Sequence, residues 1–340
     1  MSAPPLVWTH QRRTLVGRGA LHRFDPGTGP GRYHRALLTL RDSGSKLAFA
    51  SFTFDPKAPG SVMLIPEEVD SDLPPPQSAP TPAKGRIVSD GVTAWRAALA
   101  RALTAVEVGR VEKVVLARQV DASFATPPDL ERVIRILRSR QPGCYTFAVD
   151  GLVGSSPELL LSLDNGRVSS LSLAGTVAAD GGSLGSAKIE REHRFAAESV
   201  ERGLGSLVTD LSQRQEIVEV SGLRHRATRF AGSATEDVTF ADLLASLHPT
   251  AAVAGTPRRS SLKLIRAIED RSRDRYAGPV GWFDVRGAGE FAIALRCGLV
   301  EGDRAILYAG GGIVAGSDPE EEFAETELKL RPMLEALGLD

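Results

Sequence analysis

The chain has 340 residues, of which 42% are hydrophobic, so it can build a large core in one unit or in two domains. Its 41 basic and 42 acidic side chains give a net charge of −1, which provides no electrostatic basis for binding nucleic acid or an anionic membrane. Two cysteines cannot form a disulfide framework or a cysteine-rich zinc site, and no apolar run is long enough to cross a bilayer. The first residues also lack the pattern of a secretory signal, so we expect a cytoplasmic protein.

The N-terminal third is predicted to be β-rich. Around residues 34–64 lie three short runs that alternate in the manner of strands, YHRALLTL, KLAFASFTF and SVMLIP. Residues 66–85 are rich in proline and acidic side chains and too poor in apolar ones to pack, which predicts a surface loop. We therefore separate an N-terminal part, 1–88, from a larger region, 89–340, and expect the two to form one continuous structural unit.

The larger region mixes strands and helices. Helices are predicted after a cap at Ser89, near 128–140, at 186–212, and in TFADLLASLHP and SLKLIRAIEDR. Strands are predicted in EKVVLARQV, around 144–149, 151–155, 158–163 and 167–173, from EIVEVSG to Gly232, and in PVGWFDV, GEFAIALRCGLV and RAILYAGGGIV. Runs of strands and hairpins interrupted by helices predict an α+β (mixed α/β) fold with large, mainly antiparallel sheets and helices packed on the outside.

Two charged residues lie in otherwise apolar strand-like segments. Lys113 begins KVVLARQV, a run predicted to be buried on both faces, and burial disfavours the charged form of a lysine enough for it to act as a base. The alternative is a lysine at a sheet edge that reaches solvent. Glu158 follows a serine–proline turn in SSPELLL, where leucine neighbours can keep a carboxyl protonated and able to donate. Its alternative is a turn residue that faces water.

A cluster of carboxylates near the C-terminus suits a metal ion. In DPEEEFAETELKLRPMLEALG, helical spacing places Glu322, Glu325 and Lys329 within about 60° of one another. Two carboxylates and an ammonium suit a divalent cation with an anionic ligand, but Glu325 and Lys329 can also be an ordinary surface pair worth ~0.2–0.5 kcal/mol. Glu192, one turn after Lys188, is compatible with an ordinary surface salt bridge, and it diverges by about 100° on a helix from His193, so these two cannot easily bind one metal ion. Oxygen ligands without a cysteine cluster or an HExxH motif favour Mg²⁺ over zinc.

The glycines of GGGIVAGSDPE do not match a phosphate-binding loop, since their spacing fits neither GxxxxGK[ST] nor GxGxxG. They either let backbone N–H groups approach an anion, with a carboxylate more suitable than a phosphate, or form a strand-to-loop turn that needs small residues. His225 and His248 are each more often structural than catalytic when taken alone, and no GxSxG motif accompanies them.

In this order, ten segments from about Lys113 to Gly338 resemble the chorismate-utilising enzymes, and among them the isochorismate synthases. The matching segments are KVVLAR, GSSPELLL, LAGT, SxKxxxEH, HxxT, LHPTxAxxGTP, YAGPVGW, GEFAIALR, YAGGGIV and DPExEFxET with its following lysine. Ten segments in register with similar gaps make chance an implausible explanation. The resemblance implies the chorismate-utilising enzyme fold, with a chorismate-binding catalytic region over 89–340.

The resemblance also implies an activity, the Mg²⁺-dependent conversion of chorismate to isochorismate. Lys113 would be the base that activates water for attack at C2, and Glu158 the acid that protonates the departing C4 hydroxyl. Glu192 and Glu325 would bind Mg²⁺, with Glu322 supporting the metal. The residues that would bind or line the substrate are Gly175, Thr176, His225, Ala252, Leu295, Arg296, Gly310, Gly311, Gly312 and Lys329.

Ala252 separates the possible activities within this family. The amine-adding members resemble one another in carrying threonine there, and salicylate synthases tend to do so as well. Ala252 together with Lys113 therefore points to water as the nucleophile and to released isochorismate, from a monomer without an obligatory amidotransferase partner. Two alternatives remain open, a salicylate synthase that also eliminates pyruvate and a non-catalytic protein that binds chorismate.

Overall fold

The structure is a computed structural model that describes residues 5–11, 13–73, 84–178, 184–220 and 222–339. The strands in this part of the chain are β1 Leu6–His10, β2 Arg13–Phe24, β3 Leu47–Ser51, β4 Val62–Asp70, β5 Gly85–Ser89, β6 Lys113–Phe124, β7 Tyr145–Val149, β8 Leu152–Ser156, β9 Leu159–Asp164, β10 Arg167–Ala178, β11 Val208–Val220, β12 Leu223–Ala234, β13 Gly255–Thr256, β14 Pro279–Asp284, β15 Gly289–Ile293, β16 Cys297–Glu301 and β17 Arg304–Val314. The helices are α1 Arg32–Asp42, α2 Val92–Glu107, α3 Leu130–Arg140, α4 Ala187–Leu204, α5 Phe240–Leu247, α6 Arg258–Ile268 and α7 Pro319–Leu337.

The strands form one continuous antiparallel sheet. Hydrogen-bonded neighbours follow the order β5–β6–β17–β16–β8–β7–β1–β2–β4–β3–β14–β15–β9–β10–β12–β11, and the short β13 pairs with the start of β6. Helices cover the sheet, with α2 and α7 against β17 and α4 against β10. The predicted α+β class with a mainly antiparallel sheet and outer helices is confirmed.

Two neighbouring chain connections join distant parts of the sheet. Residues 157–158 link β8 to β9, and residues 294–296 link β15 to β16, while β8 pairs with β16 and β9 with β15. We call these two connections the seam. They are hydrogen-bonded to the adjoining strands, since Ser155 N–H donates to the Arg296 carbonyl at 3.2 Å and Ile293 N–H donates to the Glu158 carbonyl at 3.1 Å. The seam therefore holds the backbones of Glu158 and Arg296 in fixed positions.

Two predictions for the N-terminal third are wrong. YHRALLTL lies in helix α1 rather than in a strand, because Tyr33, Ala36, Leu37 and Leu40 recur at helical spacing and are all buried. The predicted loop at 66–85 is too long, because β4 continues to Asp70 and β5 begins at Gly85. Both ends of that segment find partner strands, so they are extended despite their polar composition. Residues 74–83 lie outside the described residues.

Two helix boundaries also differ from the prediction. Ser89 ends β5 and does not cap a helix; the N-cap of α2 is Gly91, whose φ of 65° suits glycine. Helix α4 begins close to the predicted residue, with Ser186 as its N-cap, but it ends at Leu204, and β11 begins at Val208. Pairing of β11 with β12 takes up the last residues of the predicted 186–212 helix.

The N-terminal part is joined to the rest through the sheet. Strand β1 pairs with β7, β3 pairs with β14, and the proposed boundary between residues 88 and 89 falls inside β5. Among the described residues, none of the helices combines the length and apolar character needed to cross a bilayer.

Candidate active site

A cavity lies between the seam, the glycine-rich end of β17 and helix α4, with about 710 Å³ of space outside protein atoms. The predicted site residues that line it are Glu158, Thr176, Glu192, His225, Ala252, Leu295, Arg296, Gly310, Gly312 and Lys329. The other predicted site residues, which do not line the cavity, are Lys113, Gly175, Gly311, Glu322 and Glu325.

Lys113 is fully buried inside the sheet. Its strand pairs on one side with Val314 of β17 and on the other with Thr256 of β13, so the edge position weighed from the sequence does not apply. Its ammonium lies 3.2 Å from the Glu192 carboxylate of α4. A side chain at Gly312 would collide with both groups, because a Cβ there would stand 2.1 Å from Glu192 Oε1 and 3.0 Å from Lys113 Cε. The glycine therefore permits this ion pair.

Glu158 projects from the seam into an apolar environment and is 3% exposed. Its Oε1 accepts a long hydrogen bond of 3.3 Å from the Leu173 N–H. Burial raises the pKa of this carboxyl to about 8, although that hydrogen bond and the charges of Lys113 and Lys329 oppose the rise. At neutral pH the side chain is therefore largely protonated and able to donate a proton to a ligand in the cavity.

Each of the three predicted metal carboxylates is paired with a lysine. Besides the Glu192 contact, Glu322 lies 2.7 Å from Lys188, and Glu325 lies 2.5 Å from Lys329. Lys188 therefore pairs with Glu322 of α7 and not with Glu192, the partner considered from the sequence. Across the described ranges, no three acidic, histidine or cysteine side chains are gathered closely enough to hold a metal ion.

The carboxylates nevertheless act on one another. Glu322 is 2% exposed, and its pKa is raised by burial and then by the charges of Glu325 and Glu192, against the opposing charge of Lys188. Oxygen-only donors that repel one another are the chemistry that a divalent cation relieves. The donor set therefore fits Mg²⁺ in charge and ligand type.

Two cations face the cavity from opposite elements. Arg296 lies on the seam and Lys329 on α7, where its ammonium donates to the Gly310 carbonyl at 2.8 Å. Arg296 has a φ of 46° and is buried, and burial lowers its pKa. Its Nη2 is 3.0 Å from the ring of His225. Such groups can bind the carboxylates of a small anionic ligand.

Several lining residues were missed from the sequence. Tyr276 and Tyr308 stack with ring centroids 4.9 Å apart, and Arg273 donates to the carbonyls of Val115 and Val253 at 2.6 and 2.9 Å. Tyr276 lies within the YAGPVGW segment, so the sequence contained a signal for this residue but did not indicate that it lines the cavity. The remaining missed lining residues are Pro157, Leu173, Ala174, Ala277 and Ala309.

Comparison with known proteins identifies the family. The chorismate binding enzyme family matches residues 65–338, most of the chain. The chain belongs to this family. It is 32% identical over 364 residues to the isochorismate synthase EntC of Escherichia coli K12, covering 96% of this chain and 93% of that relative. It is 35% identical over 260 residues to the isochorismate synthase MenF of Bacillus subtilis 168, where the match covers 72% of this chain and 55% of that relative's length.

A solved structure of the family shares the fold over the whole chain. The menaquinone-specific isochorismate synthase MenF from Escherichia coli aligns with a TM-score of 0.80 at 26% identity, covering 99% of this chain and 89% of that one. The similarity includes the N-terminal third, where the sequence carried little family signal. The predicted resemblance and the chorismate-utilising enzyme fold are confirmed.

The protonated state of Glu158 predicts a pH-dependent stability. An unfolded Glu158 loses its proton near pH 4.5, whereas the folded one keeps it to about pH 8. The folded state thus binds more protons between these values, and the free energy of unfolding falls as pH rises, by at most about 1.4 kcal/mol per pH unit. Glu158→Gln cannot titrate, so its stability relative to wild type should increase between pH 5.5 and 7.5 in urea unfolding.

The exposed Glu107→Gln is the control, and its stability relative to wild type should not change over the same pH range. A Glu158→Gln difference that is equally independent of pH would show that the native carboxyl is ionised.

Proposed function

We propose that this protein is an isochorismate synthase that converts chorismate to isochorismate with water as the nucleophile. The observation that carries the proposal is a protonated carboxyl, Glu158, that lines the same cavity as Glu192, the residue paired with Lys113. Exchange of a hydroxyl between two ring positions needs one group that takes a proton and one that gives it. The names of the relatives support the same reaction.

In this proposal Lys113 reacts as the neutral amine, after its ammonium has released a proton to solvent. The amine takes a proton from the water that attacks C2, and Glu158 gives its proton to the C4 hydroxyl, which leaves as water while the ring double bonds shift. When Lys113 gains its proton, the Glu192 carboxylate 3.2 Å away stabilises the new ammonium. Burial keeps Glu158 protonated until the hydroxyl departs. One proton is taken and one is given, as an isomerisation requires.

Arg296 and Lys329 would bind the two carboxylates of chorismate. Both line the cavity, as do Gly310 and Gly312. The missing side chains of these glycines make room for the Tyr276 hydroxyl and for the Lys113–Glu192 pair. Ala252 also lines the cavity, and its methyl group offers no hydrogen bond to a second nucleophile. That feature favours water over ammonia and agrees with an enzyme that needs no amidotransferase partner. A monomeric state and a cytoplasmic location stay predictions.

Glu192 and Glu325 would hold Mg²⁺, with Glu322 behind them. When bound, the ion would neutralise a substrate carboxylate and draw electron density from the ring. The lysines now paired with these carboxylates would have to share them with the ion.

The proposed reaction is tested by incubating the protein with chorismate, with and without Mg²⁺, and following the products by chromatography. We expect isochorismate to accumulate only with Mg²⁺ and without pyruvate. Pyruvate and salicylate would instead identify a salicylate synthase, and binding without consumption of chorismate would identify a non-catalytic protein.

Replacement of the proposed base should separate binding from chemistry. Lys113→Ala should abolish turnover, because it removes the proposed proton acceptor, while chorismate binding measured by calorimetry is largely retained. The exposed Lys263→Ala is the control and should keep wild-type turnover. Near-wild-type activity of Lys113→Ala would reject the assignment of the base.

Replacement of a metal ligand should change the metal requirement. Glu325→Gln keeps the shape of the side chain but removes its charge. The Mg²⁺ concentration that gives half-maximal activity should therefore rise at least about tenfold. Glu335→Gln on the same helix, which removes the surface pair with Arg140, is the matched control. If the Mg²⁺ dependence of Glu325→Gln equals that of the control, helix α7 has only a structural role.

A further inference from the structure

A chain of two hydrogen bonds connects Arg296 to the opposite wall of the cavity. Arg296 Nη2 is 3.0 Å from His225 Nε2, and His225 Nδ1 is 2.9 Å from Thr176 Oγ1. All three residues line the cavity, and His225 is 5% exposed. We call this set the Thr176–His225–Arg296 chain.

The direction of both hydrogen bonds follows from the chemistry of the groups. A guanidinium only donates, so His225 Nε2 must accept and cannot carry a proton. The ring proton is therefore on Nδ1, where it is donated to the Thr176 hydroxyl oxygen. Burial and the charges of Arg296 and Lys329 hold the pKa of His225 well below its ordinary value, so the ring stays neutral. Only the neutral His225 ring with its proton on Nδ1 can make both hydrogen bonds.

The backbone aims Thr176 at His225. Thr176 lies opposite His225 in the pairing of β10 with β12, directly after a β-bulge between Ala174 and Thr176. The bulge contains Gly175, which has a φ of 74°, and a Cβ at this position would stand 2.9 Å from the Ile189 carbonyl oxygen of α4. The close approach of α4 and the positive φ therefore explain why the residue before Thr176 is a glycine.

We propose that His225 and Thr176 are positioning residues that orient Arg296 through a neutral acceptor and so reserve its charge for a substrate carboxylate. A carboxylate at position 225 would hold the guanidinium equally well but would neutralise it. A neutral imidazole with its proton on Nδ1 accepts a hydrogen bond from the guanidinium and leaves its positive charge in place. The substrate side of this proposal rests on the proposed function, whereas the tautomer does not.

Steady-state kinetics with chorismate separates the neutral acceptor from simple packing. His225→Gln keeps a neutral acceptor, and His225→Glu has nearly the same shape but adds a negative charge. We expect the KM of His225→Gln to rise less than about tenfold and that of His225→Glu to rise roughly a hundredfold, because only the latter opposes binding of an anion. The exposed His22→Gln is the control and should keep the wild-type KM. Equal KM values for the Gln and Glu variants would overturn the proposal.

The tautomer is tested directly by ¹⁵N NMR of the histidine rings at neutral pH, with the His225 signals assigned by their loss in His225→Gln. We expect Nδ1 to be protonated and Nε2 to be bare in wild type, and this tautomer to lose population in Thr176→Val. A protonated Nε2 would overturn the chain of hydrogen bonds. This measurement needs no substrate, so a protein with the expected tautomer that does not bind chorismate would reject the proposed function and the substrate side alone.

Discussion

The site depends on one buried ion pair, Lys113 with Glu192, that forms next to the three consecutive glycines of β17. A buried ammonium without a partner costs several kcal/mol, about the net stability margin of many domains. Glu192 can reach Lys113 only because Gly312 carries no Cβ, which would stand 2.1 Å from its oxygen. The register of β6 with β17 sets Lys113 opposite Val314 and so brings this glycine alongside. The ion pair holds helix α4 against β6 and β17, and the cavity lies beside this contact.

The seam supplies the other half of the site for a topological reason. Chain connections between distant strands are seldom buried, because their backbone groups need partners. Here two such connections run side by side, and the adjoining strands take up their hydrogen bonds. Glu158 and Arg296 can therefore leave the sheet within its interior, where a carboxyl stays protonated. Neither a surface loop nor the middle of a paired strand would give Glu158 both its burial and its access to a ligand.

The sequence predicted the architecture and the identities of most lining residues, but only through the resemblance across many segments. Taken alone, Lys113 could equally have been a lysine at a sheet edge, and Glu158 a turn residue that faces water. The structure decides between these alternatives through strands far along the chain, which pair with β6 at Lys113 and with β9 after Glu158. The partner of Lys188 could not be found either, since Glu322 belongs to another helix. The short run YHRALLTL was misassigned because eight residues can fit both the helical and the strand periodicity. Arg273 was missed because its function is to join two carbonyls of neighbouring segments, which no local pattern encodes.

The electrostatic character of the cavity follows from which groups it keeps neutral. Burial leaves the Glu158 carboxyl protonated and the His225 ring uncharged, so neither offsets the neighbouring cations. Lys329, by contrast, is paired with Glu325 on its own helix, one turn away. A ligand with two carboxylates would thus meet one cation held by a neutral ring and one shared with a carboxylate. In the proposed Mg²⁺ complex, an ion that bound Glu325 would release Lys329 to the ligand, and anion binding and metal binding on α7 would then favour each other.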